Sequence, residues 1–449
     1  MCNDPIAPGC DSYQRMQASR RNFFRASTGA ASALWLTRFA EQLAAASERD
    51  RGGKPKSLLF LWLQGGPSQL ETFDPHPGTK IGGDVKSLST SVPGLEISEF
   101  LPATAEQMHL GTLVRSVISK EGDHERASYH LKTGWRPDPT IVHPSIGSVV
   151  CHGSETNLEI PRHVSIQPTQ WPARGGYLGP GFDAFQMGDP AKPVPNLTAP
   201  VDKDRMKTRV DDLLSTVEGE FRRGRLRNLN RDRTLHETGT KNAVTMMSSD
   251  QLVAFDIKQE SNDTLARFGD TSFGRGCLAG IRLLEAGVRC VEVELTGWDS
   301  HINNHELQKG NATILDRALA ATLQELDARD MLDSTVLFCG GEFGRTPRIN
   351  PASGRDHWPH GFSSFLAGGK FRKGYVHGST AANPDAELLK RNGNRPLDPT
   401  RVTENCVTVP ELHASILDAL DIDPTHEMMT PIGRPLRWSD ASPVRELFS

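Results

Sequence analysis

The chain has 449 residues, of which 37% are hydrophobic and 24% charged, with a formal net charge of -4. That balance speaks against a nucleic-acid binder, which carries a basic stripe. No uninterrupted apolar run approaches the ~20 residues of a membrane-spanning helix.

The first segment reads as an export leader. In Ser19-Arg20-Arg21-Asn22-Phe23-Phe24 two arginines stand directly before an aromatic pair. A weakly apolar stretch follows from Ala26 to Leu36, and Ala44-Ala45-Ala46 offers a small-residue cleavage site. This is the signal-peptide pattern, and the arginine pair marks the twin-arginine type. Residues 1–46 are therefore expected to be removed. The mature chain, 47–449, is expected to be periplasmic or secreted, without stable membrane insertion. The remaining alternative, an amphipathic first helix, suits this stretch poorly because it is too poor in Leu and Ile for a core.

Seven cysteines are present, two of them, Cys2 and Cys10, in the leader. The other five are widely spaced with no CxxC, which is neither a disulfide framework nor a zinc ribbon. Cys277, Cys290 and Cys339 lie in apolar segments and read as small core residues.

Along the mature chain, Leu58 to Leu63 is a continuous apolar run ended by Gln64-Gly65-Gly66-Pro67-Ser68. Such a run reads as a strand buried on both faces, as in parallel sheets. Phe73 to Leu95 is loop-like, and Leu110 to Ile118 suggests a second strand. Residues 190–250 are charge-rich, with a helix expected over 204–221 and an arginine cluster around 222–231, and read as a solvated helical excursion. From Phe273 the pattern turns regular: a helix over 274–286 closed by Gly287, a strand over 288–295 with alternating Val291, Val293 and Leu295, a helix carrying Leu315, Leu319, Leu323 and Leu326, and a buried strand over 335–339. Strand, helix and strand in succession predict a mostly parallel α/β sheet covered by helices.

Open α/β sheets bind ligands beyond the carboxyl ends of their strands. Three predicted strands end in polar motifs: Gln64 to Gln69, Gly297-Trp298-Asp299-Ser300-His301 with His305 beyond, and Gly340-Gly341-Glu342-Phe343-Gly344-Arg345. Gly122-Asp123-His124-Glu125-Arg126 and Gly354-Arg355-Asp356-His357-Trp358-Pro359-His360 add two more. Asp, Glu and His gathered at one sheet edge suit a metal or acid/base site. Ser68 either presents its hydroxyl to an anion or caps a helix. Arg345 and Arg355 either clamp an oxyanion or pair with carboxylates.

The segments LFLWLQGGPSQLETFDPHPG, GDHERASYHLKTGWRP, RLLEAGVRCVEVELTGWDSH, GGEFGRTPRIN and GRDHWPHGFSSFLAGGKFRKGYVHGST resemble, in this order, a family of exported bacterial proteins, domain of unknown function 1501. That family looks distantly related to alkaline phosphatases and sulfatases, and Val409 to Leu420 resembles their late helix. The resemblance implies a three-layer α/β/α sandwich and metal-assisted cleavage of a phosphate or sulfate ester. It implies a divalent cation (zinc, calcium or magnesium) held by Asp299, His301, Glu342, Asp356 and His357, with His305 and His360 second in rank. Ser68, His124 and Arg345 are the candidates for catalysis. The substrate would be a small-molecule or glycan ester.

The chain also departs from those enzymes. Gln64 and Gly65 stand where the first strand normally ends in a metal-binding Asp, and Glu342-Phe343 replaces an Asp-His or Asp-Asn pair. Counting back from Gly134, His124 occupies the sulfatase nucleophile position, where it serves as a ligand or as a different nucleophile. These departures keep a second expectation open: a non-catalytic binding protein for anionic or glycan ligands on a degenerate sulfatase-like fold.

Overall fold

Six consecutive apolar side chains, Leu58 to Leu63, build the central strand β1 (Ser57–Leu63), and all six are buried. Full burial of each is worth about 1.5–3 kcal/mol, so the strand needs no polar alternation. The computed structural model describes residues 56–152, 158–195, 197, 201–224, 235–384 and 398–449. The export leader expected over 1–46 lies outside them.

The further sheet strands are β2 (Gly111–Ile118), β3 (His163–Ile166), β4 (Phe185–Met187), β5 (Cys290–Leu295), β6 (Thr335–Gly340), β7 (Phe362–Ala367), β8 (Tyr375–His377) and β9 (Val407–Thr408). Their order is β8-β2-β7-β6-β1-β5-β3-β4, with β9 pairing β2. β1 runs parallel to both β5 and β6, and β7 is antiparallel to its neighbours β6 and β2. The expected mostly parallel sheet is thus present.

Alternate β1 residues face opposite layers. Leu59, Leu61 and Leu63 share one core with Val291, Val293, Leu337 and helices α5 (Ser272–Glu285) and α6 (Asn304–Ala328). Leu58, Phe60 and Trp62 share the other with Phe338, Leu131 of α1 (His124–Thr133), Val150 of α2 (Ile146–Cys151) and Leu412 of α7 (Val409–Ala419). Helices on both faces make the three-layer α/β/α sandwich. The capping box of Thr408 and Glu411 starts α7, as sequence-encoded N-caps do.

In the charge-rich excursion, helices α3 (Lys203–Gly224) and α4 (Leu235–Met247) pack together. The side chains of the arginine cluster 222–231 lie outside the described residues. The alternation in β5 misleads in one respect. Glu292 and Glu294 do not face water; both are buried, and Lys132 donates to Glu292 at 3.0 Å.

Candidate metal centre

Five chain segments meet at the carboxyl edge of the sheet. The exit of β1 turns through Gly65 and Gly66, both at positive φ (115° and 75°), which favours glycine. A Cβ on Gly65 would stand 2.6 Å from the Asp299 backbone nitrogen, so the two exit loops touch through their backbones. Asp123 caps α1 by accepting from the Glu125 and Arg126 amides, which fixes His124 as the first helical residue. Gly134, at φ 77°, closes the same helix. A two-residue ladder pairs His357 with Arg345 and Trp358 with Gly344, carrying His357 to the same place.

His124 Nδ1 donates to Glu342 Oε1 at 2.7 Å, and that oxygen also accepts from the Gly65 amide at 3.0 Å. His124 Nε2 is buried and makes no hydrogen bond; it lies 3.4 Å from Asp299 Oδ2. His357 Nδ1 donates to the Gly122 carbonyl at 2.8 Å, leaving Nε2 3.7 Å from Asp299 Oδ1. His301 Nδ1 donates to Asp356 Oδ1 at 2.9 Å, and its Nε2 lies 2.9 Å from His357 Nε2 and 3.2 Å from Asp299 Oδ1.

His124, Asp299 and His357 each offer one donor atom within 4.8 Å of the others. Their chemistry fits a divalent cation. The orphaned, buried His124 nitrogen points toward the Asp299 carboxylate, and each of the two imidazoles is fixed through its other nitrogen, as ligating histidines are. Burial disfavours the charged form of His124, but the carboxylates of Asp299 and Glu342 outweigh it and raise the pKa to about 9. Burial likewise opposes the Asp299 charge, yet the neighbouring His124, His357 and Arg345 hold its carboxyl well below the usual range.

The other candidates fall into different places. Glu342 is fully buried and orients His124, and Asp356 orients His301. Both were expected as ligands; in the structure each contacts an imidazole Nδ1. Arg345 is fully buried, and its guanidinium donates to the carbonyls of Gly65, Gly66 (2.9 Å) and Arg355 (3.1 Å) and to Asp299 (2.7 Å). Its fork is occupied by the protein itself, so it positions Asp299 and is no oxyanion clamp. Arg355 is likewise buried on Glu71 and three backbone carbonyls. Ser68 is sealed beneath α6: its amide donates to Gln308 at 2.9 Å and its hydroxyl is buried without a partner. No described contact joins Ser68 to the histidines. His305 packs edge-on against Phe100 and His360 against Trp358, so neither joins the centre. His301 precedes α6 while His305 lies within it, so they share no helical face.

Two aromatic neighbours escaped sequence reasoning. Phe343 lies 4.9 Å from His124 and 4.4 Å from His357 between ring centroids, and the Trp171 ring is nearly parallel to His124 at 6.5 Å. Phe343 was detectable as the apolar residue inside an otherwise polar strand-end motif. Trp171 had no signal beyond its place after β3.

The chain is a three-layer α/β/α sandwich with imidazoles and a carboxylate gathered at its sheet edge. The chain belongs to the family described as protein of unknown function (DUF1501), which matches residues 55–448. No curated protein matches it in sequence. Solved structures similar to it include the PsFucS1 sulfatase from Pseudoalteromonas sp., at 8% identity and TM-score 0.38, covering 86% of this chain and 71% of that one. A protein in the alkaline phosphatase superfamily from Vibrio parahaemolyticus is similar at 11% identity and TM-score 0.34, covering 82% and 67%. The C-terminal periplasmic domain of EcEptC from Escherichia coli is similar at 11% identity and TM-score 0.37, covering 86% and 89%.

Proposed function

We propose that this protein is an exported, metal-dependent hydrolase of phosphate or sulfate esters, acting on a small-molecule or glycan ester in the periplasm or outside the cell. The observation that carries the reading is the meeting of His124 Nε2, His357 Nε2 and the Asp299 carboxylate at the carboxyl edge of the sheet. A divalent cation held there supplies Lewis-acid stabilisation of charge developing on the ester. Glu342 and the Gly122 carbonyl engage Nδ1 of the two imidazoles and so turn each Nε2 toward Asp299. Arg345 fixes the Asp299 carboxylate, and Phe343 and Trp171 wall the histidines. With Ser68 sealed and His124 facing Asp299, water is the nucleophile. Among the described residues no membrane-spanning helix is found, and the Ser19 to Phe24 motif supports twin-arginine export.

Metal analysis of natively exported protein, paired with a panel of aryl and glycan phosphates and sulfates, tests this reading. The expected result is bound metal and turnover that disappears in Asp299→Asn and His357→Ala. Folded, metal-loaded protein that cleaves no ester on the panel removes the hydrolase assignment. The second reading, ligand binding without turnover, is favoured by one feature: Arg345 is committed to the protein's own carbonyls. It predicts saturable binding of an anionic glycan with no product.

A further inference from the structure

We infer that Trp171 is the substrate platform of this site: its indole face receives the sugar ring that carries the ester, so the substrate is a glycan ester and not an aryl or acyclic one. The inference rests on the ester-hydrolase reading above. It names the substrate class and the residue that selects it.

The other described tryptophans are committed to the fold. Trp62, Trp298, Trp358 and Trp438 are buried. Trp135 is half-buried, but His143 stacks on its ring at 5.0 Å and its indole N–H donates to the Trp438 carbonyl at 3.3 Å. Trp171 is half-buried and far less engaged. Among the described residues it joins neither hydrophobic core, and no hydrogen bond engages its indole N–H. Its one ring neighbour there is His124, 6.5 Å away at an interplanar angle of 14°. Ring pairs in contact span about 4.5–7 Å, so this pair is a loose one.

An indole left in water forgoes a large hydrophobic gain, yet the chain fixes the place of this one. The loop after β3 is tied down at alternate residues. Gln167 takes a positive φ of 57°, uncommon for a residue with a side chain. Its backbone amide and its side chain donate to the carbonyls of Met187 and Ser272, both at 2.7 Å. The Thr169 amide and hydroxyl donate to the buried Glu294 carboxylate, the amide at 3.2 Å. Buried Lys132 donates to the Trp171 carbonyl at 2.7 Å while it pairs with Glu292 at 3.0 Å and lies over the Trp62 ring at 4.9 Å. A buried ion pair is weak evidence for stability; these charges instead hold a loop in one position. Backbone that is strained and over-determined in this way clusters at ligand clamps.

The surroundings fit a sugar. A sugar ring is apolar on its C–H face and polar around its edge. The exposed groups near His124 are otherwise polar: Asp123 and Glu125 flank it in the chain, and the side chains of Asp299, His301 and Asp356 are 46%, 44% and 40% exposed. Phe343, the other aromatic neighbour, is fully buried. One flat apolar face with polar groups at its margin suits ring C–H groups on the indole and hydroxyls at the rim. An aryl group, apolar on both faces, calls for a second exposed wall. At 6.5 Å from the His124 ring, the indole stands close enough for a sugar stacked on it to hold its own ester at the centre.

The test compares esters that differ in the ring: hexose phosphates and sulfates esterified at the primary hydroxyl, against glycerol phosphate and glycerol sulfate, on the metal-loaded mature chain. Wild-type kcat/KM should favour the hexose esters. Trp171→Ala should lower the hexose-to-glycerol ratio about tenfold, mainly through KM, as the loss of one ring contact does, and Trp171→Phe should recover most of it. Trp171→Leu keeps apolar bulk without a flat face and should lose the ratio nearly as far; it decides if the alanine variant does not fold. Saturation-transfer NMR with the hexose phosphate reads the contact without turnover: ring C–H protons should receive saturation in the wild type and lose it in Trp171→Ala. Turnover with an unchanged ratio in both the alanine and leucine variants overturns the inference and leaves the hydrolase reading standing. Saturation transfer that depends on Trp171, with no ester cleaved, upholds the platform and sinks the hydrolase reading. A hexose ester that is neither cleaved nor saturated overturns the inference outright.

Discussion

Replacing Arg345 with methionine removes a fully buried guanidinium while keeping most of its apolar stem. Three carbonyls, of Gly65, Gly66 and Arg355, then lose a charged donor. An acceptor stranded in the interior costs about 1–3 kcal/mol. The Asp299 partner is 46% exposed, so solvent screening makes its ion pair a minor contributor. Partial relaxation keeps the total below the simple sum, and we expect a loss of about 3–5 kcal/mol, in line with other broken buried pairs. Urea unfolding followed by tryptophan fluorescence measures it. Arg345→Lys should recover less than half, because an ammonium cannot reach carbonyls on three sides. A stability loss under about 1 kcal/mol, with ester or anion affinity falling instead, would refute the positioning role and return Arg345 to the ligand.

Gly65→Ala forces a Cβ onto the Asp299 backbone at a positive φ; metal affinity should fall at least about tenfold as the two exit loops separate, since a strained backbone position costs about 1–3 kcal/mol, and calorimetric titration reads the change. Burial lowers the His413 pKa to about 4, with the Leu131 carbonyl working against it. The unfolded chain takes up a proton near pH 6.5 while the folded chain does not. The contribution of His413 to stability should therefore be complete above about pH 6.5 and fall by about 3 kcal/mol as the pH drops to about 4. A urea-midpoint series in which His413→Gln keeps the wild-type slope between those limits would contradict this. At the leader, Arg20→Lys with Arg21→Lys should leave full-length precursor in the cytoplasm, and cell fractionation that still finds processed protein outside would rule out twin-arginine export.

Most of the sheet was legible because hydrophobic runs and glycine stops are local. Leu58 to Leu63 announces a doubly buried strand, and Gly65-Gly66 its end. Val291 and Val293 also mark a strand, but their alternation hides the burial of Glu292 and Glu294, whose respective partners Lys132 and Thr169 lie 160 and 125 residues away. The candidate centre was legible as a list of residue types and illegible as a geometry. Asp299 and His301 follow the end of β5, whereas His357 arrives from a loop segment that pairs with Arg345. The ranks of Glu342 and Asp356 depend on which oxygen meets which Nδ1, and no spacing rule encodes that. Ser68 and Arg345 sit beside glycines in motifs suited to anions, and only packing shows that both are enclosed.

The position of β1 has a kinetic consequence. Its register partners in β5 and β6 follow it by roughly 230 and 280 residues, beginning with Leu58 opposite Cys290 and Val336. At about 5–20 residues per second of synthesis, the most apolar strand waits about 12–46 s for its first neighbour. Contacts of such range form slowly, and a bare strand of this composition is a template for association with other chains. The sheet closes only after nearly the whole polypeptide exists. A holding factor acting on the nascent chain near residues 57–63 therefore matters more to yield than any gain in the stability of the finished sandwich.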